Sequence, residues 1–152
     1  MIIAKGNVST AEGPVPVENL KPGMLVVDRG HRARKLLKVE RVQLHQTIHF
    51  ERNKDLVLAG NSLLFTLTGL RSAISLKDVR KAMNGRIQML FEGRKMQEDV
   101  MKIKKEEVTG YRLTIEGGKD VLVNGYDVAD KEEGVCSRSI TTKNPMRTIL
   151  SA

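Results

Sequence analysis

Few side chains in this sequence are equipped for chemistry, so each can be weighed singly. Cys136 is the only thiol; it sits beside Ser137 and Arg138. An adjacent guanidinium can lower a thiol pKa, but no histidine or carboxylate partner is placed by sequence, which makes Cys136 a passive thiol. His45 and His49 are spaced so that on a β-strand they project from one face with Thr47 between them, while Leu44, Ile48 and Phe50 take the other, buried face. Two imidazoles on one face are half of a metal site, and no third ligand accompanies them, so no metal is expected. The densest run of positive charge is Arg29, His31, Arg32, Arg34, Lys35 and Lys38. Arg29, Arg32, Arg34, Lys35 and Lys38 could neutralise phosphates without reading sequence, or could keep a sheet edge solvated and unaggregated; both readings stand. A second patch, Lys102, Lys104 and Lys105, is partly offset by Glu106 and Glu107. Gly117-Gly118 and Asn124-Gly125 are hairpin turns and not phosphate loops, because no helix follows either.

The elements that carry these residues are mostly strands. Short apolar runs separated by turn residues recur in KLLKVERVQ, LHQTIHFE and KDLVLAGNSLLFTLTG, and RIQMLFEG continues the pattern. Lys21-Pro22-Gly23 predicts a turn feeding a strand from Met24 to Asp28. MQEDVMKI fits strand or helix. Helix is the minority: Leu76, Val79 and Met83, with Ser75 as N-cap and Gly85 after the end, predict one short helix over 75–84. Residues 131–152 show no period and read as an extended arm. The sequence therefore predicts an all-β domain over 1–130 followed by that arm.

Composition narrows the function classes. A chain of 152 residues, 40% hydrophobic, supports one core. Aromatics are only 3% and tryptophan is absent, which disfavours recognition by stacking on bases or sugars. The net charge of +8 favours an anionic partner. A single cysteine rules out an intrachain disulfide and suits a reducing compartment. MIIAKGN lacks the apolar run of a secretory leader, and no stretch is apolar enough for a membrane helix, so a cytoplasmic protein is expected.

Self-comparison exposes a repeat. Residues 44–64 align without a gap on residues 109–129: Ile48 matches Leu113, Phe50 matches Ile115, Glu51 matches Glu116, Lys54-Asp55 matches Lys119-Asp120, and Gly60 matches Gly125. Alternation alone does not supply the paired Lys-Asp or the matched glycine. Two such halves predict a pseudo-twofold β structure in which each copy buries the other's apolar face.

A β domain of two related halves, opening with IIAKGNVSTAEGPVPVENLKPGMLVV and closing with VTGYRLTIEGGKDVLVNGYDVAD, resembles the Hint fold of inteins and hedgehog-type autoprocessing domains over residues 2–130. The resemblance implies where splicing residues should stand, and this chain departs at each. The leading cysteine falls near Ile2, with Ser9 and Thr10 several residues too late. The Thr-x-x-His that polarises the scissile amide falls on Leu58-Ala59-Gly60-Asn61, leaving at most the Asn61 amide as a donor. A downstream aspartate falls at Arg112, and the histidine that can follow it near Gly117 or Gly118. The terminal histidine and asparagine fall on Ala129 and Asp130, with Lys131 where a nucleophile must follow. Alanine transfers no proton, and an aspartate carboxylate is a poor substitute for a cyclising amide.

The expectation is a catalytically inactive, Hint-like structural or interaction module without cofactor. It would belong to a larger assembly such as a bacteriophage particle, in the host cytoplasm or the virion, docked on a protein partner in part through residues 131–152. The alternative is a nucleic-acid-binding protein using residues 29–38, and a lesser one is residual self-cleavage near Asp130.

Overall fold

In a computed structural model of the chain, residues 1–66, 69–72, 86–117 and 120–129 are described. The helix expected over 75–84, Cys136 and the arm lie outside them. The strands run β1 (Ile2–Lys5), β2 (Asn7–Thr10), β3 (Gly13–Pro16), then a single 3-10 turn (Val17–Asn19), β4 (Leu25–Val27) and β5 (Ala33–Phe50). They continue as β6 (Val57–Ala59), β7 (Leu63–Thr66), β8 (Gly69–Ser72), β9 (Ile87–Phe91), β10 (Lys95–Asp99), β11 (Met101–Ile115), β12 (Asp120–Val123) and β13 (Tyr126–Ala129). All pairings among them are antiparallel. No helix among the described residues is long and apolar enough to cross a membrane.

The turn at 21–23 forms as expected: Gly23 takes φ +98 and the Met24 amide donates to Lys21 O at 3.2 Å. KLLKVERVQ and LHQTIHFE, however, are not separate strands. They are one strand of 18 residues, because no glycine or proline interrupts Ala33–Phe50 and β11 pairs along nearly all of it. One end of β5 pairs with β4 at Ala33–Lys35 and the other with β6 at Thr47–His49, so this strand joins the two parts of the sheet. MQEDVMKI resolves as strand on both sides of a break at Val100, where Asp99 Oδ1 accepts the amides of Arg52 (2.8 Å) and Val100 (2.7 Å).

The repeat becomes a pairing rule. Leu63 is the counterpart of Val128 and Leu64 of Ala129, and the observed pairs are Leu64 with Val128 and Leu63 with Ala129. Each residue faces its neighbour's counterpart, as a twofold axis between them requires. Gln43 and Leu44 pair with Thr109 and Val108 in the same way. Ile48, Leu58, Leu64, Met101, Leu113 and Val128, drawn from both halves, are buried in one core. The few rings are concentrated there: Tyr126 meets Phe50 edge-on at 5.2 Å and Phe91 at 6.1 Å.

The Asn124-Gly125 turn has positive φ at both residues, 49 and 85, which is the two-residue hairpin geometry that matches strand twist. Any side chain at Gly125 would run into the Phe91 ring. Asn124 also anchors the turn from outside. Its Oδ1 accepts the Asn7 amide at 2.8 Å, and Asn53 Nδ2 donates to its carbonyl at 2.9 Å.

Candidate functional site

Strand register gives three of the four positions of interest their neighbours. Ile2 pairs with Arg112, and Ile3 pairs with Tyr111 on one side and Leu58 on the other. From Leu58 the chain reaches Ala59, turns, and enters β7, where Leu63 pairs with Ala129. The turn is closed by Ser62, whose amide and hydroxyl both donate to Ala59 O, at 3.1 and 2.8 Å. Asn61 is exposed at its tip and Ala129 is buried. Asp130 lies outside the described residues. Arg112 is exposed and its Nη1 lies 3.8 Å from Glu40. Gly117 is exposed in the turn after β11; Gly118 is not among the described residues. Ile2, Ile3, Leu58, Ala59, Leu63 and Ala129 are aliphatic, and Asn61 and Ser62 bring an amide and a hydroxyl; the carboxyl beside them is Asp120, which pairs with Ala129 across the β12–β13 hairpin.

The basic stretch forms the hairpin between β4 and β5, and its charge is largely answered from within the fold. Asp28, 2% exposed, accepts the amides of Gly30 and Arg32, each at 2.9 Å, on Oδ1. Its Oδ2 faces Arg32 Nε at 3.3 Å and Arg34 Nε at 3.4 Å. Burial pushes the Asp28 carboxyl up, but the Arg32 amide and charge, the Arg34 hydrogen bond and the Gly30 amide together outweigh it and hold the pKa below its ordinary value. Lys38 lies 3.3 Å from Glu40. Lys35 is exposed and shares in none of these pairs.

Arg29 turns inward. Its amide donates to Asp120 Oδ2 at 3.1 Å, its Nη1 lies 3.5 Å from Asp127 and 3.8 Å from Asp120, and its guanidinium sits 4.3 Å from the centre of the Phe65 ring. Asp120 faces Ala129 and Asp127 faces Leu122 across the hairpin, which makes the two acids diagonal neighbours on one face. Asp127 is fully buried and no donor reaches either oxygen in hydrogen-bond geometry. Burial, then the hydrogen bond and charge of Asp120, push its carboxyl up to about 9, against the pull of Arg29. A proton on Asp127 supplies the donor that the pair otherwise lacks. Sequence reasoning missed these acids. The signal was available: two aspartates placed symmetrically enough about a two-residue turn to share a face.

His45 and His49 do share a face of β5, as expected, but each is taken by its own glutamate. Lys105 pairs with Gln46 and Val108 with Leu44, so Glu106 and Glu107 stand together opposite His45 in a β-bulge. The bulge aims both carboxylates at the histidine face. Glu107 contacts His45 Nδ1, and Glu106 contacts His49 Nε2 at 2.6 Å and accepts the Thr47 hydroxyl. The Thr47 hydrogen bond, then that of His49, holds the Glu106 carboxyl below its ordinary value. Among the described residues no group of three or more histidines, cysteines or carboxylates is placed to hold a metal ion.

No family model and no curated sequence matches the chain. Solved structures do. A crystal structure of the gp41-1 intein superposes with a TM-score of 0.65 at 17% identity, over 85% of this chain and 97% of that one. The bacterial intein-like domain from Clostridium thermocellum gives 0.66 at 16%, over 86% and 99%. The DnaB intein from Synechocystis sp. PCC 6803 gives 0.60 at 13%, over 85% and 98%. The chain has the intein-like, Hint-type β fold, nearly all antiparallel sheet, in agreement with the resemblance seen in the sequence.

Proposed function

We propose that the chain is a Hint-fold module that neither splices nor cleaves itself and that serves as a structural or interaction component of a larger assembly. The observation that supports this reading is the residue types at Ile2, Asn61 and Ala129. A splicing site of this fold needs a nucleophile, a proton donor to the scissile amide and a cyclising asparagine. Here the corresponding residues are Ile2, Asn61 and the Ala129-Asp130-Lys131 run, while the strand pairings and the Asn124-Gly125 turn that would position them are present. A scaffold kept without its reactive groups is a scaffold used for its surface.

The assembly we favour is a particle such as that of a bacteriophage, in the host cytoplasm or the virion, with residues 131–152 docking on a protein partner. Sedimentation of the protein from its native source tests this. It should travel with a larger particle, with residues 131–152 protected from protease. A free monomer whose last twenty or so residues are clipped at once would contradict it.

A further inference from the structure

Three lysines on and beside the β5–β11 ladder surround one groove, whereas the charge of the 29–38 hairpin, Lys35 apart, is mostly answered by Asp28, Asp120, Asp127 and Glu40. Lys102 pairs with His49 and Lys104 with Thr47, so these four side chains share one face of the sheet. With Phe50, Glu51 and Lys54 they border a groove of about 530 Å³ that His49, Lys102 and Lys104 line directly. Lys54, Lys102 and Lys104 are exposed, and none enters a salt bridge or side-chain hydrogen bond among the described residues. The sequence suggested that Glu106 and Glu107 offset this patch. Neither acid forms a salt bridge with these lysines: Glu107 is held by His45, and Glu106 by Thr47 and His49, with Lys104 acting on it only as a charge at longer range.

We infer that this groove, through Lys54, Lys102 and Lys104, binds the phosphate backbone of nucleic acid without sequence preference. Ammonium groups are point charges that can donate to phosphate oxygens in many directions, and Lys102 and Lys104, two residues apart on a strand, stand about 7 Å from each other along it. Of the two rings at the groove, Phe50 is buried and the His49 imidazole is tied through Nε2 to Glu106 and Thr47. An acidic peptide binding by strand addition would need a free edge, and β5 at this point is paired on both sides, with β11 and β6. Such binding is independent of whether the chain can cleave itself.

Fluorescence anisotropy with a labelled mixed-sequence duplex tests the inference on the full chain. At low salt the wild type should bind, and Lys54→Ala/Lys102→Ala/Lys104→Ala should weaken it roughly tenfold or more and flatten the plot of log K against log salt by about 2.7, at about 0.9 for each phosphate that is no longer neutralised. Arg32→Ala/Arg34→Ala should change affinity by less than about threefold, because those charges are already answered by Asp28. All three lysines are exposed, so the triple variant should keep the wild-type denaturation midpoint. Absence of binding at low salt, or a triple variant that binds as the wild type does, would overturn the inference. So would displacement of the duplex by polyglutamate as readily as by unlabelled duplex, which would assign the groove to acidic peptides.

Discussion

Asp127→Asn should stabilise the protein at pH 8 by on the order of 3 kcal/mol and remove most of the fall in stability between pH 5 and pH 9. The folded protein holds a proton on Asp127 up to about pH 9, whereas the unfolded chain releases it near the ordinary carboxylate value. Folding therefore takes up a proton throughout that window. The contribution of Asp127 to stability is fully present below about pH 4 and is lost as pH rises toward 9. Asparagine has the same shape, carries no charge to bury, and provides a donor toward Asp120. Asp28 runs the other way: its lowered pKa contributes stability that is lost as pH falls below the ordinary carboxylate range. Urea denaturation across the pH range separates the two, since only the alkaline limb should respond to Asp127→Asn. A flat alkaline limb in the wild type, or a variant less stable than wild type at pH 8, would contradict the shared-proton account.

Tyr126→Phe should cost about 2–3 kcal/mol although it removes a single oxygen. Tyr126 is fully buried, and its hydroxyl donates to Oδ2 of Asp99, itself 1% exposed, while accepting Gln97 Nε2 at 2.9 Å. Oδ1 of Asp99 keeps its two amide donors in the variant, but Oδ2 loses the only one it has among the described residues. A buried carboxylate oxygen left dry explains why the loss exceeds that of an ordinary hydrogen bond. Burial first, then the Asp99 hydrogen bond, pushes the phenol pKa well up, so the donor is present across the physiological range. The ring contacts with Phe50 and Phe91 remain, which separates this cost from a cavity. Tyr126→Ala should add that cavity, for a total of roughly 4–5 kcal/mol. A Tyr126→Phe variant within about 0.5 kcal/mol of wild type in a denaturant titration would show that Asp99 is satisfied in some other way.

Much of the architecture was legible in local pattern. Period-two alternation marks strands, and Asn124-Gly125 specifies a hairpin because both positions need positive φ. The repeat anticipated two related halves, and the structure then supplied their pairing, Leu63 with Ala129 and Leu64 with Val128. What escaped was long-range or subtle. β5 reads as two strands because its solvated middle breaks the apolar rhythm, and only β11 shows that the backbone continues. Asp120 receives the Arg29 amide from 91 residues away, a distance at which charge patterning says nothing. The bulge at Glu106 and Glu107 was not visible in the sequence, and one extra residue there gives the two carboxylates side-chain partners on β5, Glu106 with Thr47 and His49 and Glu107 with His45. The interest of Ile2 and Ala129 was legible only through the family resemblance. The registers then supplied the neighbours.

The central claim is that this fold stands without the reaction its relatives in shape are named for. Placing residues 1–152 between two folded reporter domains and following the fusion by intact-mass spectrometry over days and across pH tests it most directly. The expected result is one species at the full mass of the fusion, with no joined reporters and no fragment ending near Ala129 or Asp130. A ligated reporter pair, or a released fragment of the mass set by cleavage at either boundary, would contradict the claim.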